Sequence, residues 1–295
     1  MTAEAPSQSA RPFRTVALVF VALLLVGLAA AYVVYKKYVA YEPSVAAHVP
    51  ASARAAVRVD LTHVMFYEPF RRSMFPLADR FAKGAHSRRE LLEERGIRVN
   101  SDVREVLALL GPGAGEWALV IGGRLPRGRA ARGLAEVLRD EKRDLDEKNG
   151  VYTLAGSGLA FSEAADGALV LASSASFLSS ALPVGAPDAV LSSGSGGVIV
   201  RQGVLEAPLN ALTATFRAGS VVEVRGRAEL SGNAAAAQEA LRSLFAALAG
   251  ADPAAQAAVR SLEFSEEASG LGFRLALPRE AVLGLIEALA QRVPS

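Results

Sequence analysis

Three histidines, His48, His63 and His86, are the side chains best suited to acid–base or metal chemistry in this chain. Asp60 and His63 lie three positions apart at the predicted end of a strand and could place a carboxylate beside an imidazole. A metal site needs three or four convergent ligands, and no second group of ligands accompanies this pair. No serine, histidine and acid can be assembled into a triad from their spacing. We therefore assign no catalytic residue and no metal ligand.

Two glycine-rich segments resemble parts of ligand-binding turns. Gly111–Gly115 could bind a phosphate, but a dinucleotide-binding turn needs a strand before it and a helix after it. Here the predicted order is helix, glycines, strand, which indicates a helix-terminating loop. Gly194-Ser195-Gly196 lacks the full G-x-S-x-G pattern of a nucleophile elbow. The chain has no cysteine, which excludes disulfides and cysteine-ligated zinc or iron–sulfur sites, and we assign no cofactor.

Acidic and basic residues are nearly balanced, because 32 Lys and Arg against 30 Asp and Glu give a formal net charge of +2. That balance makes no case for binding nucleic acid. The densest basic cluster, Arg124–Arg143, is interleaved with acidic residues, which is typical of a solvated helix face with i,i+4 ion pairs. Binding of this cluster to anionic headgroups or another acidic partner stays open as an alternative.

One uninterrupted apolar run, Val16–Tyr35, predicts the element that anchors the rest of the chain. The run contains no charged residue, no Pro and no Asn or Gln. A helix of this length covers roughly 30 Å at about 1.5 Å per residue, which is the thickness of the hydrocarbon core of a bilayer. We predict a single-pass transmembrane helix that includes Val16, Leu23, Leu24, Leu25 and Tyr35. The residues predicted at the membrane interface are Arg14, Tyr32, Lys36 and Lys37.

Two other interpretations of this run stay open. A cleaved signal peptide would use Arg11 and Arg14 as its positive region and Ala29–Ala31 as its cleavage site, although its apolar part is usually about 7–15 residues long. A buried core helix would normally show a polar stripe, which the run lacks. The flanking charges do not decide orientation, because two arginines precede the run and Lys36 and Lys37 follow it. Few lysines and abundant Ala and Gly suggest a GC-rich bacterial genome. Since the run is the obvious export signal, we expect the N-terminus in the cytoplasm of a bacterium and the C-terminal part in the periplasm.

The rest of the chain divides into segments by composition. The Ser- and Gly-rich loop 192–197 marks the predicted boundary between two halves. The predicted domains are a cytoplasmic tail over 1–15, the transmembrane helix over 16–35, a juxtamembrane linker over 36–50, and extracytoplasmic α+β halves over 51–191 and 192–295. The predicted fold class is α+β, with two possibly duplicated halves of mixed or antiparallel sheet packed with helices.

Hydrophobic periodicity predicts the individual elements. A first strand over 55–61 alternates and places Val57, Val59 and Leu61 on one face. Further strands are predicted over 117–121, 150–154, 159–163, 168–172, 197–201, 220–229, 262–265 and 271–277. Helices are predicted over 63–83, 87–95, 102–110, 129–142, 205–213 and 234–249, from 252, and over 279–292. Asn233 and Gly250 bracket the helix over 234–249 as its N-cap and its C-terminal glycine.

A short internal repeat suggests that the two halves are copies. Leu159–Gly167 matches Leu262–Gly270 at six of nine positions, at an offset of 103 residues. The same offset places the strand at Trp117 near the strand at Val221. Chance similarity in a sequence rich in Ala and Ser is the alternative.

A resemblance to a known class of proteins rests on three stretches of the sequence: Val49–Leu61, Gly96–Val103 and the Trp117 strand ending in Gly122-Gly123. With the N-terminal run, the chain resembles membrane-anchored bacterial proteins of unknown function that carry one span and an exported α+β domain. The resemblance implies no active residue. We expect a non-enzymatic binding or scaffolding module of the bacterial envelope, held in the lipid bilayer, with an envelope protein as its partner. The alternatives are an extracytoplasmic hydrolase with a dispersed active site and a carrier of lipid or another apolar ligand.

Overall fold

The computed structural model describes residues 45–62, 88–201, 203–267 and 270–284. The predicted anchor Val16–Tyr35 with its flanking residues and the predicted helix over 63–83 lie outside these ranges. Within them, every helix is too short or too polar to cross a bilayer.

The described strands form one antiparallel sheet, which makes the fold α+β. Its twelve strands stand in the order β11-β12-β10-β9-β8-β1-β2-β3-β7-β6-β5-β4. Their bounds are Ala55–Asp60 (β1), Val103–Leu110 (β2), Trp117–Gly123 (β3), Leu145–Lys148 (β4), Val151–Leu154 (β5), Ala160–Glu163 (β6), Leu169–Ala172 (β7), Gly196–Val200 (β8), Leu209–Arg217 (β9), Val222–Leu230 (β10), Glu263–Glu267 (β11) and Gly270–Leu277 (β12).

Six α-helices lie wholly within the described ranges, and residues 61–62 and 279–284 are helical as well. The six are Arg88–Glu94 (α1), Val99–Asp102 (α2), Ala130–Asp140 (α3), Ala175–Ala181 (α4), Ala234–Ala249 (α5) and Pro253–Arg260 (α6). A 3-10 helix over Val45–His48 precedes β1. The predicted bounds and caps of α5 are confirmed, since the Asn233 side chain accepts from the backbone N–H of Ala235 and Gly250 follows the last turn.

The two faces of the sheet bear different layers. We call the face that carries Val57 the front and the face that carries Arg58 the back, because neighbouring strand residues alternate between faces. On the back, α4 and the 3-10 helix pack around a core that includes Leu107 and Leu109. On the front, α3 covers the first half around Phe161, while α5 and α6 cover the second half with a separate core.

Two predicted helices are strands in the structure. The predicted helix over 102–110 is β2, and the predicted helix over 205–213 overlaps β9. The apolar positions of 102–110 satisfy both a helical and an alternating period, so pairing with β1 and β3 decides its conformation. In the second case, Pro208 cannot donate a helical hydrogen bond, and β9 begins directly after it.

The buried side of β1 is not its valine side. Val57 and Val59 share the front face as predicted, but Val57 is exposed and Val59 only partly buried, whereas Ala56, Arg58 and Asp60 on the back are all buried. The 3-10 helix and the residues before β8 cover the back of β1, and the helices described on the front lie over strands on either side.

Candidate recognition surface

The central polar cluster of the structure is a buried ion network on the back of the sheet. The Arg58 Nε donates to Glu105 Oε2 at 2.7 Å, its Nη1 donates to the Leu191 carbonyl at 2.9 Å, and its Nη2 lies 3.5 Å from Asp60 Oδ2. The second Glu105 oxygen accepts from the backbone N–H of Val45 at 3.1 Å. Arg58 and Glu105 are 1% and 0% exposed, so the network ties the sheet to its back layer and is closed to a substrate.

His48 is also held within the fold. Its Nδ1 lies 2.9 Å from the Ala181 carbonyl and its Nε2 lies 3.0 Å from Asp166 Oδ2. Both nitrogens face oxygen atoms, so the ring is held between α4 and the turn that joins β6 to β7. The side chain is buried, so neither nitrogen is available for proton transfer to a ligand.

The predicted proximity of Asp60 and His63 is not tested, because His63 and His86 lie outside the described residues. Asp60 Oδ1 accepts from the backbone N–H of Thr62 at 2.9 Å and from the Thr62 hydroxyl. No group of three or more metal-ligating side chains occurs in the part of the chain that the structure describes.

The glycine-rich segments occupy turns of the sheet. Gly111–Gly115 joins β2 to β3, so the predicted order of helix, glycines and strand is wrong at its first element. A Cβ on Gly111 would lie 2.6 Å from the Cβ of Glu116, which explains the glycine at that position. The Ser195 hydroxyl accepts from the backbone N–H of Ala218 at 3.0 Å and is buried, unlike a nucleophile.

The second half of α3 is solvated as predicted for the basic cluster, but the ion pairs of Arg139 and Arg95 join α3 to β4 and to the α1 turn and are not i,i+4 pairs within the helix. Arg139 pairs with Glu147 at 3.2 Å, and Arg95 of the α1 turn pairs with Glu136 at 3.2 Å and also with Asp140. These pairs are exposed or partly exposed, where each contributes little to stability.

An exposed apolar strip runs across the front of the sheet at its centre. It consists of Val57, Ala108, Leu110 and Trp117, which we call the front strip. Val57 stands opposite Ala108, and Leu110 stands opposite Trp117, so the paired side chains share a face. Leu110 is 53% exposed, Trp117 41% and Val57 38%.

A shallow hollow of about 260 Å³ lies at the Trp117 end of the strip. Its lining is Arg54, Leu110, Gly111, Gly113, Ala114, Gly115, Glu116, Trp117 and Val204. The two charged side chains form hydrogen bonds with the backbone around the hollow. Arg54 donates to the Gly203 carbonyl at 2.7 Å, and the Glu116 carboxylate accepts from the Gly113 N–H at 2.8 Å. The remaining surface of the hollow is apolar, which suits recognition of a partner rather than catalysis.

The sequence carried only a weak signal for this surface. Trp117 is the single tryptophan of the chain and directly follows a turn, but its strand is otherwise typical of a buried one. The exposure of the strip depends on which side of β1 is covered, and the alternation of β1 does not specify that side. The predicted membrane-spanning and interfacial residues lie outside the described ranges.

Comparison with known proteins shows similarity of fold only. No protein-family model matches the chain, and no curated protein matches it. Crystal form III of TP0453 superposes with a TM-score of 0.52 at 10% sequence identity, over 84% of this chain and 99% of that chain. Crystal form I of TP0453 gives a TM-score of 0.49 at 12% identity, over 85% and 98%. The superposition on crystal form III supports the arrangement of strands and helices, and at 10% identity it transfers no activity.

Proposed function

We propose that this protein is a non-enzymatic binding module of the bacterial envelope, which docks a protein partner through the front strip. In this proposal Val16–Tyr35 tethers the chain to the inner membrane as a single span. The sheet domain lies in the periplasm and presents the strip to the partner.

The front strip is the observation that carries the proposal. A tryptophan and a leucine that stay 41% and 53% exposed on adjacent strands lose favourable free energy unless a partner covers them. Contiguous apolar surface of this kind commonly marks an interaction site, and tryptophan is prominent among the residues that dominate binding energy. The sheet backbone and the closed turn at Gly111–Gly115 hold the strip in place before binding, which lowers the entropic cost of association.

The hydrogen bonds that hold the potentially reactive side chains inside the fold also favour a binding function over catalysis. His48, Asp60 and Ser195 are all buried and hydrogen-bonded within the fold. A hydrolase with a dispersed active site, the alternative, would need such groups to converge on an open cleft.

Quantitative co-purification from envelope membranes tests the proposal. The full chain, Trp117→Ala, Leu110→Asn and the control Val184→Asn would be isolated from detergent-solubilised membranes. Val184 is 47% exposed and lies outside the strip, so it matches Leu110 in exposure. We expect one defined partner to remain with wild type and Val184→Asn and to fall about tenfold or more in both strip variants, as loss of a central anchor predicts. Equal recovery of every protein in all four samples would refute docking through the strip.

A further inference from the structure

A second hollow lies beneath the helices of the second half, apart from the front strip. It has a volume of about 160 Å³ and lies between α5, α6 and the strands β10 and β12. Its lining is Val224, Phe245, Leu248, Ala249, Ala255, Val259, Leu275 and Leu277. We call it the α5–α6 hollow.

The chemistry of the lining is uniform, because every lining side chain is apolar. Ala249, Ala255 and Leu275 form buried walls at 1%, 0% and 2% exposure, while Leu248 is half exposed. A water molecule needs two to four polar partners to be held in a cavity, and these walls offer no side-chain partner. The hollow therefore favours an apolar occupant over ordered water.

The two halves differ in the element that follows the long helix in chain order. In the first half, the segment between α3 and β6 supplies Tyr152, which stacks on Phe161 with ring centroids 5.1 Å apart. In the second half, α6 takes that place in the chain order and contributes the small side chain of Ala255. Phe245 packs edge-on against Phe273 at 5.6 Å and forms one wall without filling the space.

We propose that the α5–α6 hollow binds the end of an unbranched hydrocarbon chain. An apolar cavity of about 150 Å³ is known to accept a benzene ring, so this hollow has room for an apolar group of about six carbons. Leu248 lines the hollow and is half exposed, so the remainder of a longer chain can reach the surface along an apolar side chain. The occupant is the end of a free fatty acid or of a lipid acyl chain, which share this chemistry. The inference is independent of the front strip.

Photo-cross-linking of the full chain in lipid nanodiscs tests the site and separates the two sources. One arm adds octanoate with a diazirine near its methyl end, and the other uses phosphatidylcholine with a diazirine at an acyl end. We expect label on peptides of α5 and α6 in the first arm for a free-acid site, in the second for a lipid site, or in both for a shared one.

Variants that fill the hollow supply the control. Ala255→Leu should reduce the label at least tenfold while the melting temperature is unchanged or raised, because added methyl groups occupy empty space. Ala255→Val, a smaller change, should give a partial reduction and keeps the test valid if the leucine unfolds the chain. Ala257→Leu, on the exposed side of the same helix, should leave the label unchanged.

Three results would overturn the proposal. The first is the absence of label from α5 and α6 in both arms. The second is equal labelling of wild type and Ala255→Val in a folded protein. The third is label that arises only after residues 285–295 are removed. That result would mean that these residues occupy the hollow in the full chain and exclude the hydrocarbon.

Discussion

At the scale of single residues, the buried Arg58–Glu105 pair ties the sheet to its back layer. Removing Glu105 leaves the buried Arg58 charge with reduced compensation, whereas replacing both with apolar side chains leaves only the Asp60 carboxylate, which is 7% exposed and also accepts from Thr62. We expect Glu105→Gln to lower the free energy of unfolding by about 3 kcal/mol. The double variant Arg58→Met/Glu105→Leu should lose less than the single variant. Urea unfolding of the three proteins measures both values, and a double variant less stable than Glu105→Gln would contradict this account.

Tyr152 is the residue whose titration should limit stability at alkaline pH. Burial raises the pKa of its hydroxyl, and the charge and hydrogen bond of Glu147 raise that pKa further. Because the folded pKa exceeds the unfolded value of about 10, the contribution of Tyr152 to stability is complete below that pH. It is lost as the pH rises through the folded pKa.

Unfolding free energies between about pH 8 and 11 test this expectation, since the ordinary tyrosine pKa lies in that range. Tyr152→Phe should show a shallower decline than wild type above about pH 10, because phenylalanine has no proton to lose. Parallel declines for the two proteins would mean that another group controls the alkaline limit.

At the scale of elements, the start of α6 is a tight junction with the helical turn over 279–284. The Asp252 side chain accepts from the backbone N–H of Ala255 at 2.7 Å as the N-cap of α6. A Cβ on Gly284 would lie 2.2 Å from that carboxylate. We expect Asp252→Ala to cost about 1 kcal/mol of stability as a lost cap, and Gly284→Ala to destabilise by steric overlap.

The two substitutions at this junction should not be additive. In an Asp252→Ala background the overlap is gone, so Gly284→Ala should cost less than in wild type. Asn233→Ala, which removes the N-cap of α5, is the matched control and should add to Gly284→Ala without interaction. Thermal unfolding of the single and double variants gives the coupling, and full additivity at Asp252 would contradict the contact.

The elements that the sequence predicted well are those with local signals. Helix α5 has an N-cap at Asn233 and a glycine at its end, and its predicted bounds are those observed. The helix predictions for β2 and β9 are wrong because neighbouring strands decide their conformation, and short apolar segments fit either period. The front strip could not be predicted for the same reason, since it depends on which face of β1 receives the back layer.

At the scale of the whole molecule, the strand order repeats about the centre of the sheet. β1–β2–β3 and β8–β9–β10 run outward from the antiparallel β1–β8 pair, and a later hairpin strand, β7 or β12, joins β3 or β10. The hairpins β6–β7 and β11–β12 contain the two matching sequences. This is the order that a duplication requires, and duplication stays a prediction. The hydrocarbon site proposed above lies in only one half.

The proposed tether makes a prediction about topology. With the N-terminus in the cytoplasm, a C-terminal alkaline phosphatase fusion to the full chain should be active, because that enzyme needs the oxidising periplasm to form its disulfides. Replacing Leu23, Leu24 and Leu25 with arginine should abolish the activity, since charges at the centre of a span are costly. A C-terminal reporter that is active only in the cytoplasm would reverse the proposed orientation.

The single tryptophan allows the docking claim to be measured at the surface itself. Incorporating 5-fluorotryptophan places one ¹⁹F label in the chain, at Trp117 on the front strip. We predict one resonance with a solvent-isotope shift in the purified protein. Adding solubilised envelope proteins should move or broaden the resonance and abolish its solvent-isotope shift. In the Leu110→Asn variant the same addition should leave the resonance largely unchanged. A resonance that keeps its position, width and solvent-isotope shift in the presence of the envelope proteins would contradict the proposed docking surface.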